Sequence, residues 1–141
     1  MKVLTFDPGK TTGWSIWRDG ELKKVGILLT FADLIDLFIK HNDATHCVYE
    51  GFARANASTG DQLETIELCG AIQALATFYH MQIEKQYPAQ RKGYVEFAKM
   101  YVAPFSISSD VKRHCIDAVS HGLRFHDKCV EGWKGSWQKL S

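Results

Sequence analysis

Asp7, Glu50, His114 and Asp117 are the residues whose types and settings could share one piece of chemistry. Carboxylates and an imidazole are the donors that hard divalent cations take from proteins. Asp7 ends the apolar run Val3-Leu4-Thr5-Phe6, and Glu50 ends a second one, His46-Cys47-Val48-Tyr49. His114 and Asp117 stand three residues apart, so on a helix they share a face. Each also has an ordinary reading. Asp7 would cap the turn at Pro8-Gly9, His114 would be a surface residue, and Asp117 would pair with Arg113 or Arg124.

The stretch Phe6-Asp7-Pro8-Gly9-Lys10-Thr11-Thr12-Gly13 invites a different reading, as a phosphate-binding loop. Such a loop needs a glycine five positions before the Gly of its Gly-Lys pair, so that consecutive N–H groups wrap the phosphates. That position is Leu4, inside an apolar strand, so no nucleotide cofactor is expected. His114, Cys115, His121, His126 and Cys129 gather late in the chain without the Cys-x₂₋₄-Cys spacing of a structural zinc site. Cys47, Cys69, Cys115 and Cys129 form no such pair and no disulfide framework.

The elements that must position these residues follow from periodicity. Lys2–Asp7, Gly13–Arg18 and Glu21–Leu28 read as strands, with Asp19-Gly20 as a hairpin turn. Thr30 caps a helix through Ile39 whose face is Phe31, Leu34, Ile35, Phe38 and Ile39. His46–Glu50 is a fourth strand, followed by a polar loop from Phe52 to Gly60. A long helix from about Asp61 to His80, a strand over Met81–Gln86, a helix over Tyr94–Tyr101 and a last helix capped by Ser108 or Ser109 and running to Arg124 complete the chain. Three meander strands followed by alternating helix and strand predict an α/β domain: a mixed five-stranded sheet with helices on both faces. If the first and fourth strands are parallel neighbours, Asp7 and Glu50 meet at their ends.

The chain has 141 residues, enough for one domain. It is 45% hydrophobic and 23% charged, as soluble globular proteins are. No apolar run approaches the ~20 residues of a membrane span, and the start lacks a signal-peptide layout. A cytoplasmic protein is expected, without a membrane partner. The net charge of +1 conceals an asymmetry. Residues 1–84 carry 7 Lys and Arg against 11 Asp and Glu, a net of −4, and residues 85–141 carry 10 against 5, a net of +5. A basic second half suits a polyanion.

The order of the set resembles the RuvC family of Holliday-junction resolvases, in the RNase H and retroviral-integrase superfamily. The pieces that carry the resemblance are Phe6-Asp7-Pro8-Gly9 with Thr12-Gly13, Val48-Tyr49-Glu50-Gly51-Phe52, Leu68-Cys69-Gly70-Ala71-Ile72 and His114-Cys115-Ile116-Asp117-Ala118, which span nearly the whole chain. The resemblance is to a compact, phage-type member, whose compartment would be the host cytoplasm. It implies a single RNase H-like nuclease domain over residues 1–141 that cleaves four-way and other branched DNA. Its metal ligands would be Asp7, Glu50, His114 and Asp117, holding two Mg²⁺ or Mn²⁺ ions, with the imidazole tilting the preference toward Mn²⁺. Phe52 corresponds to an aromatic that wedges into the junction. Candidate DNA contacts are Lys10, Arg54, Lys85, Arg91, Lys92, Lys99, Lys112 and Arg113. The apolar girth of the long helix exceeds one docking face, and in RuvC-like enzymes this helix forms a homodimer. The segment Gly132–Ser141, with Trp133 and Trp137, either covers the partner or is a flexible tail. A relative of the YqgF type, acting on RNA, or a nuclease for flaps and forks would use the same hydrolytic residues. An actin-like ATP-binding phosphotransferase shares the opening hairpin but needs two such domains.

Overall fold

The first strand, β1 (Lys2–Asp7), is buried along its whole length, and the alternation of a strand decides where each side chain goes. Leu4 and Phe6 enter one core, and Val3 enters the other. Asp7 has the parity of Val3 and Thr5. In the fourth strand, β4 (His46–Glu50), Cys47 and Tyr49 join the first core and Val48 the second. Glu50 has the parity of Val48. The two acids therefore point to the same face of the sheet.

In this computed structural model, residues 1–51 and 60–135 are described, with the side chains of 60–62 left aside. Around β1 and β4 stand β2 (Thr12–Arg18), β3 (Glu21–Leu28) and β5 (Gln82–Gln86), in the order β3-β2-β1-β4-β5. β1 to β3 pair antiparallel, whereas β1, β4 and β5 pair parallel. Phe6 pairs with Tyr49, so the next residues of the two strands, Asp7 and Glu50, emerge side by side at the C-terminal edge. The Asp19-Gly20 turn has φ of 51° and 81°, the left-handed pair that a tight hairpin requires.

Helices α1 (Phe31–Lys40) and α2 (Gly60–Phe78) cover the first face, burying Leu34, Leu37, Phe38, Leu68, Cys69, Ile72 and Ala76. Thr30 caps α1 as expected, its hydroxyl accepting from the Asp33 N–H at 3.1 Å. The other face is covered by α4 (Val95–Val102) and α5 (Lys112–Cys129). Before α4 lie a one-turn helix, α3 (Pro88–Arg91), over residues for which the sequence suggested no regular structure, and a 3₁₀ turn over Lys92–Tyr94, whose last residue the sequence placed at the start of the next helix. Pro88 suits the first position of α3, which needs no N–H donor. No helix among the described residues is long and apolar enough to cross a membrane.

Two boundaries of α5 differ from expectation. The helix starts at Lys112 without a side-chain cap, because Ser108 and Asp110 bond each other and the Val111 N–H is taken by the Ser108 carbonyl at 3.2 Å. It continues past Arg124 to Cys129, because Phe125 and His126 extend its buried face. Two glycines let α5 lie close on the sheet. A Cβ at Gly13 would sit 1.9 Å from the His114 carbonyl oxygen, and one at Gly122 would meet the Trp17 indole at 2.3 Å. Trp133, beyond the helix, donates its indole N–H to the Gly20 carbonyl at 2.9 Å, which anchors the start of the C-terminal segment.

Gly13→Ala is expected to destabilise the protein by about 1–3 kcal/mol, the usual cost of overpacking a site whose neighbour is backbone. Thermal melting checks this, and an unchanged midpoint would mean that α5 does not approach β2 so closely.

Candidate active site

Four elements deliver charged side chains to one corner. Asp7 ends β1, Glu50 ends β4, Asp117 lies in the second turn of α5, and Arg91 closes α3. Arg91 Nε donates to Glu50 Oε1 at 2.8 Å, and its Nη1 lies 3.3 Å from Asp117 Oδ1. His121 Nε2 lies 3.1 Å from the same Oε1. Asp7, only 9% exposed, lies beside Glu50 just past the paired Phe6 and Tyr49.

Three carboxyl groups against one guanidinium leave an excess of negative charge in a poorly hydrated place. Burial first, and then the charge of Glu50, hold the Asp7 carboxyl well above the usual carboxylate range. Burial also raises Asp117, with Arg91 opposing it. Glu50 goes the other way. Burial alone would raise it, but hydrogen bonds from His121, Asp7 and Arg91 outweigh that and draw it below its ordinary value. The two acids thus move apart, because Arg91 and His121 both bond Glu50 and neither bonds Asp7. Arg91 is held more firmly protonated by the hydrogen bond to Glu50 and the charges of Asp117, Glu50 and Asp7, although burial opposes this.

The structure brings together Asp7, Glu50 and Asp117. His114 stands at the rim, half-buried, one helical turn before Asp117, and burial and the charge of Arg113 lower its pKa while Asp117 raises it. Among the described residues no three His, Cys, Asp or Glu side chains form a ready-made metal cage. The space that a cation would share between Glu50 and Asp117 is spanned by the Arg91 guanidinium. The chemistry of the donor set nevertheless fits a hard cation: oxygen donors on rigid elements, Asp7 buried and Glu50 and Asp117 partly so, with too little positive charge among them.

Of the residues expected on DNA, Arg91 lies against the carboxylates. Lys10 is exposed on the β1–β2 loop beside a crevice formed with Gly9, Thr12, Glu64 and Leu68. Lys112 and Arg113 occupy the first turn of α5, beside His114. Lys92 and Lys99 are exposed on the segment between β5 and α5, and Lys85 is exposed on β5 with its stem against Gly51. Phe52, Arg54 and Trp137 lie outside the described residues. Sequence reasoning missed His121 and Gln86 as members of this corner. The spacing of His114, Asp117 and His121, at i, i+3 and i+7, puts all three on one helix face, and that pattern could have found the histidine.

No family model and no curated protein matches the sequence. Solved structures do. RuvC of Thermus thermophilus in complex with a Holliday junction substrate superposes with a TM-score of 0.68 at 13% identity, covering 92% of this chain and 97% of that one. A second structure of Thermus thermophilus RuvC gives 0.62 at 16% identity, with 91% and 96% covered. From the opening hairpin to the final helix, the chain has the RuvC form of the RNase H-like fold.

Proposed function

We propose that this protein is a metal-dependent endonuclease that cuts four-way and other branched DNA as a homodimer. The observation that carries the reading is the convergence of Asp7, Glu50 and Asp117, from three elements, into one partly buried corner with excess negative charge. Two cations about 3.5–4 Å apart would activate the attacking water and stabilise the leaving oxygen of a phosphodiester. Asp7, Glu50 and Asp117 would hold them, with His114 completing the set from the rim. Arg91 neutralises part of the cluster in their absence and is placed to meet a phosphate beside it. Lys112 and Arg113 extend positive charge from the site along the start of α5, and Lys10 does so from the β1–β2 loop. Both positions suit a DNA backbone crossing the C-terminal edge of the sheet.

The homodimer rests on α2. One side of this helix enters the core, while Leu63, Ile66, Gly70, Ala74 and Phe78 recur at helical spacing on the other. Phe78 is 71% exposed, and a Cβ on Gly70 would touch nothing. A four-way junction presents two equivalent strands, which a two-fold dimer with one site per chain would cut as a pair.

Three substitutions test this reading. Asp7→Asn should abolish cleavage of a synthetic four-way junction while leaving binding intact; retained cleavage would refute the site. The same substitution should raise the melting temperature of the chelator-treated protein by a few degrees, since a functional carboxyl is stored at a cost to stability. The sign follows from linkage. The folded-state pKa of Asp7 lies above its ordinary 3.8, so its cost is absent below that pH and grows as the pH rises toward neutrality. The stabilisation should therefore be larger at pH 8 than at pH 4.

Lys112→Ala should weaken junction binding and reduce the slope of log affinity against log salt by about one unit, the share of one phosphate contact. Ala74→Arg should give a folded monomer in sedimentation, because Ala74 is exposed on the described helix. It should also lose paired incision of a cruciform plasmid. A dimeric Ala74→Arg protein would rule out this interface.

A further inference from the structure

Gln86 and His121 are both fully buried, yet the proposed chemistry uses neither directly. Gln86 ends β5, paired with Glu50 and on the same face of the sheet. Its amide nitrogen donates to Glu84 Oε2 at 2.6 Å and to the His121 carbonyl at 3.3 Å. Both partners are acceptors only, so the amide cannot be turned over without setting its oxygen against a carboxylate. Its Oε1 therefore faces His121 Nδ1 at 2.7 Å, and that nitrogen must carry a hydrogen and donate it. The other ring nitrogen, Nε2, is thereby aimed at Glu50 Oε1 at 3.1 Å, where one hydrogen, carried by either atom, joins the two. Glu84 is engaged as well, its Oε1 accepting from the Cys129 thiol at 3.3 Å.

We propose that His121 is a positioning residue that fixes the Glu50 carboxylate, with Gln86 and Glu84 orienting its ring. The proposal rests on the reading of Glu50 as a cation ligand. Glutamate has three rotatable side-chain torsions, and a carboxylate already held before a cation arrives loses less freedom on binding. Arg91 also holds Glu50, but it spans the two carboxylates that a cation would share, and it comes from a one-turn helix. Of the two carboxylates, His121 bonds only Glu50, from the interior of the longest helix on that face, so its grip is compatible with an occupied site. A packing role does not explain it. An aromatic hydrocarbon would fill the same space without the cost of burying two ring nitrogens.

Calorimetric titration of Mn²⁺ into the DNA-free protein tests the proposal with wild type, His121→Phe, Gln86→Leu and the double variant. Outer-shell partners of metal ligands are usually worth 10–100-fold in affinity, so His121→Phe should weaken Mn²⁺ binding by about tenfold or more. Its metal-free junction binding should not change. Gln86→Leu should lose a smaller factor, and the double variant should be no weaker than His121→Phe, because Gln86 acts through the ring. Equal affinity in wild type and His121→Phe would overturn the positioning role, and additive losses would overturn the orienting chain. A wild type that binds no Mn²⁺ would sink the metal reading of Glu50, and this role with it. Should the buried substitutions unfold the protein, side-chain nitrogen NMR of the wild type still decides. A hydrogen on His121 Nδ1 supports the chain of bonds, and a bare Nδ1 overturns it.

Discussion

A carboxyl buried beside another carboxyl sets the terms for the rest of this molecule. Asp7 and Glu50 meet because β1 and β4 are parallel neighbours in a register that ends both at one edge. Burial and mutual repulsion make that meeting costly, and the surroundings are arranged around the cost. The Asp7 carboxyl is held above its ordinary range, Arg91 arrives from a helix of its own, and His121 reaches Glu50 from α5. The two-core sandwich supplies the rigidity that keeps like charges from separating. Its cores lie on opposite faces of the sheet, and the acids point into the α4–α5 face at its open end. Charge is thereby stored where the fold has least freedom to relax it.

Much of this was legible because it is local. Period-two alternation in Val3–Asp7 and His46–Glu50 gives the strands and the parity of their final acids. Asp19-Gly20 specifies a hairpin through backbone conformation alone, and Thr30 caps α1 through a bond three residues long. The three-residue spacing of His114 and Asp117 gives their shared helix face. The start of α5 was misjudged for an equally physical reason. Ser108 and Ser109 both look like caps, but the Ser108 hydroxyl is engaged by Asp110 and the chain turns once more before the helix begins.

What could not be read depends on contacts across the chain. Arg91 looked like one more basic residue of the second half, and nothing nearby in sequence says that it spans Glu50 and Asp117. Its place follows from the turn at Pro88, which sends the chain back over the edge of the sheet. His121 was visible as a titratable residue, yet its orientation depends on Gln86, 35 positions away. The amide of Gln86 is in turn set by Glu84. Such chains of donors and acceptors are properties of packing, and periodicity carries no trace of them.

The two glycine contacts of α5 bear on how a lineage with this fold can drift. His114 rests on Gly13 near one end of the helix, and Trp17 fills the space at Gly122 near the other. The number of residues between these contacts is therefore indexed to the sheet, and one insertion there would turn the helix beyond it by about 100° relative to the part before it. The connection over 103–111 carries no such index. Descendants of this sequence should gain and lose residues before Lys112 while the interval from His114 to Gly122 keeps its length, even after most of its letters have changed.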